Sequence, residues 1–302
     1  MNFTLGTAQL GLKYGIANKS GKPTKTNAVK IIKTAESSGV RYYDTASAYG
    51  NSEQLLGDYF QNKKSDAFIV TKLPPILETL KNQEDEIEII EKVILAVESS
   101  KRNLKSETID CLMFHRTDDY FLNEKLIINY LYEHKKKLNI NTFGISLYSA
   151  DETEELLNDE RLTSYQVPAN LLDHRFKNKG FLKTANDFQN IVFIRSIFLQ
   201  GLFFLDDSQI PENIKEFIKY KKLLSEIIKK SGFTFEQFTV NFFKTFYKDC
   251  KLIFGVDNIQ QLNENIKLYN NSTELDDEYL NEILEITNDI PETIINPTLW
   301  AK

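Results

Sequence analysis

A closed (β/α)8 TIM barrel of the α/β class is the fold that the sequence predicts, on three observations. Short apolar segments alternate with amphipathic helical patterns along the 302 residues, and counting the apolar segments gives eight strands. These segments lack a polar face, which is typical of parallel strands that are buried on both sides. No low-complexity linker interrupts them, so we expect one domain over residues 1–302.

The strands are predicted from β-branched and aromatic runs that end at polar or turn-forming residues. In chain order they are Phe3 to Gln9, Val40 to Thr45, Phe68 to Lys72, Ile109 to His115, Thr142 to Ser146, Ser164 to Pro168, Ile191 to Ser196 and Lys251 to Gly255. Eight parallel strands with helices between most of them favour a closed barrel over an open sheet.

The helices are predicted from apolar residues that recur with a helical period. Those that connect strands are Asn27 to Ser38, Ser52 to Phe60, Glu84 to Leu104, Phe121 to Lys137, Asp151 to Asn158 and Phe176 to Phe188. Thr26 or Asn27 is expected to cap the first of them, and Gly39 to end it.

Extra helical segments lie near the C-terminal end of the chain. Pro211 to Lys230 and Thr234 to Tyr247 precede the last strand, and a tail from Glu274 to Lys302 is helical and then irregular. We expect the tail to close over the substrate or to dock on a neighbouring molecule, with Trp300 as its anchor.

Composition restricts the function. A formal net charge of −6 argues against a nucleic-acid partner. Cys111 and Cys250 provide neither a disulfide framework nor a cysteine-based metal site, and three scattered histidines do not suggest a zinc cluster. No apolar stretch approaches the length of a membrane span, and the chain starts without a basic leader. We therefore expect a cytoplasmic monomer or weak homo-oligomer that binds no metal, nucleic acid or membrane.

Ionisable side chains occur where predicted strands end. Asp44 ends the second strand and Tyr49 follows it in a loop, while Lys72 ends the third strand and His115 the fourth. The carboxyl ends of barrel strands carry the active site in this fold. A lysine and a histidine on interior strands also need partners, because an isolated buried charge is costly. Alternative roles remain open. Asp44 can be a capping aspartate and Tyr49 a packed loop aromatic, or the four residues can form a buried ionic network without catalysis.

This pattern resembles the aldo/keto reductases, a family of TIM-barrel oxidoreductases. Its Asp-Thr-Ala strand, Tyr-Gly-x-Ser-Glu loop, Thr-Lys strand end and strand ending in His are matched in order at Asp44, Tyr49, Lys72 and His115. The resemblance runs from Leu5 to about Leu268. It implies an NAD(P)H-dependent enzyme that reduces an aldehyde or ketone to an alcohol. The segment from residue 6 to residue 18 is similar to a subset associated with bacterial sugar modification.

The four residue types suit this chemistry. Reduction of a carbonyl places a hydride on carbon and a proton on oxygen, so the site needs an acid that acts near neutral pH. Tyrosine ordinarily has a pKa of about 10. We expect the Lys72 charge to lower the pKa of Tyr49, and Asp44 to hold Lys72 in place. The resemblance implies that His115 orients the carbonyl, and the hydride must come from a cofactor.

The resemblance also implies an extended nicotinamide dinucleotide across the barrel mouth. Glycines there permit close backbone approach, and amides at a helix N-terminus after the last strand are available to phosphate. The implied contacts are Thr7, Asp44, Ser146, Gln166, Arg195, Ser196, Gln200, Gly201, Leu202, Gly255, Val256, Asp257, Gln261, Glu264 and Asn265.

Two departures from the family pattern concern the nicotinamide. An asparagine commonly follows the serine that matches Ser146, and Leu147 stands there instead. Arg195 stands where many relatives have an aromatic ring over the nicotinamide. A guanidinium can also lie flat on a ring, so stacking can survive the change.

A third departure concerns the choice of dinucleotide. The last segment lacks the basic residues that usually bind the 2′-phosphate of NADP, and has Asp257 and Gln261 instead. An acidic residue can accept a hydrogen bond from a ribose hydroxyl but repels a phosphate. We expect NADPH from the family pattern, with NADH as the alternative. Lys251 and Lys267 are the candidate phosphate partners.

Rim loops are expected to contact the substrate. The candidates are Tyr14, Tyr49, His115, Asn170, His174 and Arg175, and further rim residues are Ser47, Arg116, Asp118 and Phe198. This polar rim favours a keto-sugar, a phosphorylated compound or another polar small-molecule carbonyl. Two other functions stay open, a non-catalytic nucleotide-binding regulatory barrel and a lyase or isomerase on the same scaffold.

Overall fold

Eight parallel strands pair in sequence order, and the last pairs with the first to close a barrel. The computed structural model describes residues 1–80 and 85–300. Its strands are β1 (Phe3–Gly6), β2 (Tyr42–Asp44), β3 (Phe68–Lys72), β4 (Ile109–Phe114), β5 (Ile140–Ser146), β6 (Leu162–Pro168), β7 (Ile191–Arg195) and β8 (Lys251–Gly255). The predicted (β/α)8 fold is confirmed.

Helices surround the barrel. Over the described residues they are α1 (Ala8–Gly11), α2 (Lys25–Ser37), α3 (Ser52–Phe60), α4 (Glu86–Leu104), α5 (Thr117–Glu133), α6 (Thr153–Leu157), α7 (Arg175–Asn178), α8 (Phe181–Asp187), α9 (Phe217–Ser231), α10 (Phe235–Phe246), α11 (Ile259–Asn270), α12 (Asp277–Thr287) and α13 (Glu292–Ile295). Short 3-10 turns lie at Leu77–Thr79, Leu199–Phe204, Asp207–Gln209, Glu212–Ile214 and Pro297–Leu299. None of the helices in these ranges is long and apolar enough to cross a membrane.

Apolar side chains fill the barrel interior, and parallel register aligns the polar ends of the strands. Val70, Met113 and Phe193 belong to a buried cluster inside the barrel. Burial of each such side chain stabilises the fold by about 1.5–3 kcal/mol. At the carboxyl end, Gly6 pairs with both Asp44 and Gly255. The ends of β1, β2 and β8 therefore lie at one level of the rim.

The loops that follow β1 and β2 are in direct backbone contact. A Cβ atom on Gly11 would overlap the carbonyl oxygen of Tyr49, and one on Gly50 would overlap the carbonyl oxygen of Gly11. Gly50 also has a φ of +60°, which favours glycine. Thr7 donates through its backbone N–H and its hydroxyl to the carbonyl of Asp44, at 2.9 and 2.8 Å. The loop that carries Tyr49 therefore packs directly against the loop after β1.

The boundaries of the first two elements differ from the prediction. Strand β1 ends at Gly6 and not at Gln9, because the chain turns into α1, where the N–H groups of Leu10 and Gly11 bond to the carbonyl of Thr7. Helix α2 begins two residues before the predicted Asn27. Its cap is Thr24, whose side chain accepts from the N–H of Asn27, so the predicted caps were wrong.

Three predicted helices are interrupted or shortened. In the helix predicted from Phe121 to Lys137, residues 122–125 depart from helical geometry, and Asn123 has a φ of +45°. The predicted Phe176 to Phe188 helix is split into α7 and α8 at Gly180, whose φ is +74°. Helix α9 starts only at Phe217, after turns that follow Pro211. Glu84, the predicted start of the helix that ends at Leu104, lies outside the described residues, as do Ala301 and Lys302.

Candidate active site

The structure brings the four predicted catalytic residues together at the carboxyl end of the barrel. Lys72 is fully buried, and its Nζ donates to Asp44 Oδ1 at 2.6 Å and to the carbonyl of Thr45 at 2.9 Å. The same Nζ lies 3.5 Å from the hydroxyl of Tyr49. The Lys72 charge is therefore neutralised by Asp44 and remains beside the phenol.

His115 completes the group from β4. Its ring lies edge-on to the ring of Tyr49, with centroids 5.9 Å apart. Burial, followed by the positive charges of Lys72, Arg116 and Arg195, lowers the pKa of His115 to about 3. The imidazole is thus neutral at physiological pH, and its buried Nδ1 has no hydrogen-bond partner among the described residues.

The protonation of Tyr49 differs from the prediction. Burial, followed by the negative charge of Asp44, raises the pKa of Tyr49 well above its ordinary value. The expectation that this pKa is lowered was wrong, because burial of the phenol and the Asp44 carboxylate both raise it. Tyr49 therefore stays protonated at neutral pH. This is the state that a proton donor requires.

Buried polar contacts fix the ends of β2 and β3. Gln166 Nε2 donates to Asp44 Oδ1 at 2.6 Å, and so shares that oxygen with Lys72. Glu53 on α3 is buried and accepts from the hydroxyl of Thr71, the residue before Lys72, at 2.7 Å. These bonds satisfy the buried carboxylates and restrict the orientation of the reactive side chains.

A cavity of about 560 Å³ opens beside this group. Its volume lies within the range of small-molecule and cofactor sites. The predicted residues that line it are Tyr14, Asp44, Tyr49, Gln166, Arg195, Ser196, Phe198, Gln200, Gly201, Gly255, Asp257, Gln261, Glu264 and Asn265. Four other predicted cofactor contacts, Thr7, Ser146, Leu202 and Val256, are buried and do not belong to the lining.

The structure does not bring Asn170, His174 and Arg175 to the cavity. His174 is 3% exposed, with Nδ1 2.9 Å from the hydroxyl of Tyr247 and Nε2 3.1 Å from the carbonyl of Leu171. Arg175 pairs with Asp173 through Nε and Nη2 at 2.9 and 3.0 Å. Asn170 is completely buried. These side chains were predicted from their place on a rim loop, but the loop turns them into the protein.

The C-terminal tail also lies away from the cavity. Glu292 on α13 accepts from Arg175 at 2.9 Å, and Trp300 Nε1 donates to the carbonyl of Thr293 at 3.1 Å. Asn213 Nδ2 donates to the carbonyl of Trp300 at 2.9 Å. None of the described residues after Asn265 lines the cavity, so the tail packs on its own chain and does not close over the substrate.

The loop between α1 and α2 covers part of the cavity through contacts that the sequence did not reveal. Asn18 Nδ2 donates to Asp257 Oδ1 at 2.9 Å, and Gln200 Nε2 donates to the hydroxyl of Tyr14 at 3.1 Å. Lys19, next to Asn18, is exposed and lines the cavity. The length of this loop indicated a functional segment, but no pattern in the sequence identified Asn18 or Lys19 as cavity residues.

The candidate phosphate partners are placed differently from the prediction. Lys251 lies at the amino-terminal end of β8, where its Nζ donates to Asn2 Oδ1 at 2.7 Å. Lys267 is exposed in the last turn of α11, and neither lysine lines the cavity. Lys19 is the lysine that does line it. The cavity thus contains a basic residue that sequence reasoning missed.

A comparison with known families identifies the chain. The model of the Aldo/keto reductase family matches residues 2–288. The chain belongs to the aldo/keto reductase family. It is also similar to the uncharacterized oxidoreductase YqkF of Bacillus subtilis strain 168, with 25% identity over 283 residues, which cover 88% of this chain and 90% of that protein.

Solved structures share the fold of this aldo/keto reductase. The glycerol dehydrogenase AKR11B4 of Gluconobacter oxydans has a TM-score of 0.72 and 23% identity, over 96% of this chain and 94% of that one. The holo form of aldo-keto reductase AKR11C1 from Bacillus halodurans has a TM-score of 0.71 and 21% identity, over 94% and 91%.

The cavity of this aldo/keto reductase suits the nicotinamide dinucleotide that the family generally uses. It extends from Tyr49 to the first turns of α11, where Gln261, Glu264 and Asn265 line it. The N-terminal end of that helix favours a phosphate. No cluster of His, Cys, Asp and Glu side chains that could hold a metal occurs in residues 1–80 and 85–300.

Burial of His174 leads to a prediction about stability. Burial lowers the pKa of His174 to about 4, whereas the unfolded chain has the ordinary value of about 6.5. The unfolded state therefore binds a proton first, and the contribution of His174 to stability is present above pH 6.5 and is lost as the pH falls towards 4. The expected slope is about 1.4 kcal/mol per pH unit.

Urea unfolding of the wild type and of His174→Gln at several pH values between 6 and 4.5 checks this prediction. The carboxylates titrate in both proteins, so the difference between the two slopes isolates His174. We expect the free energy of unfolding of the variant to fall less steeply with pH. Equal slopes would mean that His174 binds a proton as readily in the folded protein as in the unfolded chain.

Proposed function

We propose that this aldo/keto reductase reduces an aldehyde or ketone to an alcohol, with Tyr49 as the proton donor and a nicotinamide dinucleotide as the hydride donor. Family and fold support an oxidoreductase that acts on carbonyls. The observation that carries the proposal is a protonated phenol that lines the cavity, 3.5 Å from the ammonium of a fully buried lysine. An ionic network with a purely structural role would not need a phenol in the cavity.

Each of the four residues has a distinct task in the proposed reaction. The dinucleotide, when bound, supplies the hydride that the carbonyl carbon receives. Tyr49 donates its hydroxyl proton to the carbonyl oxygen and becomes a phenolate, which the adjacent Lys72 ammonium stabilises. Asp44 holds Lys72 in position, because it accepts a 2.6 Å hydrogen bond from Nζ. His115, which is neutral, donates a hydrogen bond that orients the carbonyl oxygen.

The same proposal includes NADPH as the donor. Lys19 supports this choice, since it lines the cavity and forms no ion pair within the described part of the chain. Its neighbour Asn18 is bonded to Asp257, so Lys19 lies near the residues expected at the adenosine end. Asp257 is held by Asn18 and Gln261, which leaves it less available to a ribose hydroxyl than the sequence suggested.

A fluorescence titration of the purified protein with NADPH and with NADH tests the donor before any substrate is known. We expect both to bind, NADPH more tightly, and Lys19→Met to weaken NADPH about tenfold, which corresponds to about 1.4 kcal/mol. NADH lacks the 2′-phosphate, so its affinity should change less than twofold.

Lys22→Met is the matched control for the titration. Lys22 is in the same loop, but its Nζ donates to Asn51 at 2.8 Å and it does not line the cavity. Loss of NADPH affinity in both variants would indicate a general effect of loop charge. If the wild type binds neither dinucleotide, the oxidoreductase proposal fails.

A further inference from the structure

The guanidinium of Arg195 is a positive charge without an acidic partner among the described residues, at the end of the cavity where Tyr49 lies. Arg195 ends β7 and lines the cavity together with Tyr49. The guanidinium lies over the ring of Tyr148, 4.4 Å from its centroid, and Nη2 donates to the carbonyl of Leu147 at 3.1 Å. No acidic side chain pairs with it in residues 1–80 and 85–300, and its Nε has no hydrogen-bond partner there.

The other two cations beside His115, Lys72 and Arg116, are already compensated. Asp44 neutralises Lys72. Arg116 also lies over Tyr148, 5.2 Å from the ring centroid, but it is 3.7 Å from Glu78. The chain as a whole carries a net charge of −6, so a local surplus of positive charge at the active site opposes the overall sign. Such a surplus attracts and orients anions.

We infer that Arg195 determines specificity, and that it binds an anionic group, a carboxylate or a phosphate ester, on the carbonyl substrate. The inference rests on the proposed function and narrows its substrate class. A guanidinium has five N–H donors in a planar fork that matches carboxylate and phosphate oxygens. One of these donors, on Nη2, is already bonded to the carbonyl of Leu147. The ring of Tyr148 packs against one face of the guanidinium. The substrate is then a short aldehyde or ketone that carries a negative charge near its carbonyl.

Matched substrate pairs test the inference at a saturating dinucleotide concentration. Butanal and 4-oxobutanoate differ by a carboxylate, and glyceraldehyde and glyceraldehyde 3-phosphate differ by a phosphate. We expect the wild type to prefer one or both anionic members at least tenfold in kcat/KM, mainly through KM, and less so at high ionic strength. The pair with the larger preference identifies the anion.

Arg195→Gln should reduce that preference at least tenfold, and Arg195→Lys, which keeps the charge but not the fork, should retain part of it. Both members of a pair use the same dinucleotide, so the ratio cancels any effect of the substitution on dinucleotide binding. Arg116→Gln is the matched control on the same aromatic ring, because Arg116 was expected at the rim but does not line the cavity, and it should change the ratio less than twofold. Melting temperatures of the variants report their folding.

Two results would overturn the inference. One is a wild type that turns over the neutral and anionic members equally well, and the other is an Arg195→Gln variant that keeps the full preference. Weaker dinucleotide binding with an unchanged ratio would assign Arg195 to the cofactor instead. If Arg195→Gln does not fold, the wild-type ratio and Arg195→Lys decide. Absence of turnover for all four compounds with both dinucleotides would refute the proposed function itself, a distinct outcome.

Discussion

Tyr49→Phe is expected to lower the turnover number for carbonyl reduction by about 10²–10⁴-fold, the range typical of a lost general acid. Its protonated hydroxyl, the proposed proton donor, lies beside Lys72, and phenylalanine fills nearly the same volume without a transferable proton. The affinity for the dinucleotide should stay within about twofold, because the ring remains in place. Single-turnover measurements at a saturating dinucleotide concentration separate the chemical step from binding.

Tyr14→Phe is the matched control for this variant. Tyr14 also presents a phenol to the cavity, but its hydroxyl accepts a hydrogen bond from Gln200, whereas the hydrogen bonds of Lys72 go to Asp44, Thr45 and Tyr49. We expect Tyr14→Phe to lower the turnover number less than tenfold. A Tyr49→Phe enzyme that turns over at the wild-type rate, or a Tyr14→Phe enzyme that is the more severely impaired, would assign the proton to another group.

Lys72→Met is expected to damage both activity and stability. Without the ammonium, the buried Asp44 carboxylate keeps Gln166 as a donor but loses its counter-charge. Removing one partner of a buried ion pair typically costs about 3–5 kcal/mol. The phenolate that forms on Tyr49 also loses its nearest positive charge, so we expect turnover to fall by orders of magnitude. Urea unfolding and single-turnover kinetics measure the two effects.

The double variant Asp44→Asn/Lys72→Met separates the structural loss from the catalytic one. Asparagine carries no charge, so the double variant should regain much of the stability that Lys72→Met loses, yet its turnover should stay low. A double variant that recovers activity along with stability would show that Lys72 acts only by holding the fold together. One that is no more stable than Lys72→Met would mean that the uncompensated Asp44 charge is not the cause.

The sequence predicted where the proposed catalytic side chains meet because three of the four lie at strand ends. Asp44, Lys72 and His115 each end or directly follow a strand, and parallel pairing then brings those ends to one rim. The pKa of Tyr49 could not be predicted in the same way. It depends on how burial and the Asp44 charge compare with the opposing charge of Arg195, and this is set by distances that the chain order does not contain.

Loop positions were the least predictable part of the site. His174 and Lys19 both occur in loops at the carboxyl end of the barrel, but only Lys19 lines the cavity. The direction of His174 is set by Tyr247, 73 residues further along the chain. The apolar periodicity continues past Gly180, but the helix does not, because Gly180 has a positive φ. A backbone angle of this kind leaves no mark on the spacing of apolar residues.

The contact between Gly11 and the Tyr49 carbonyl constrains any attempt to engineer this barrel. Loops at the rim of a (β/α)8 barrel are commonly treated as modules that can be exchanged one at a time. Here a side chain at residue 11 would displace the backbone that carries Tyr49, the proposed proton donor. Libraries of chimaeras should therefore inherit the first and second loops from a single parent, with the crossover point placed outside residues 11–50.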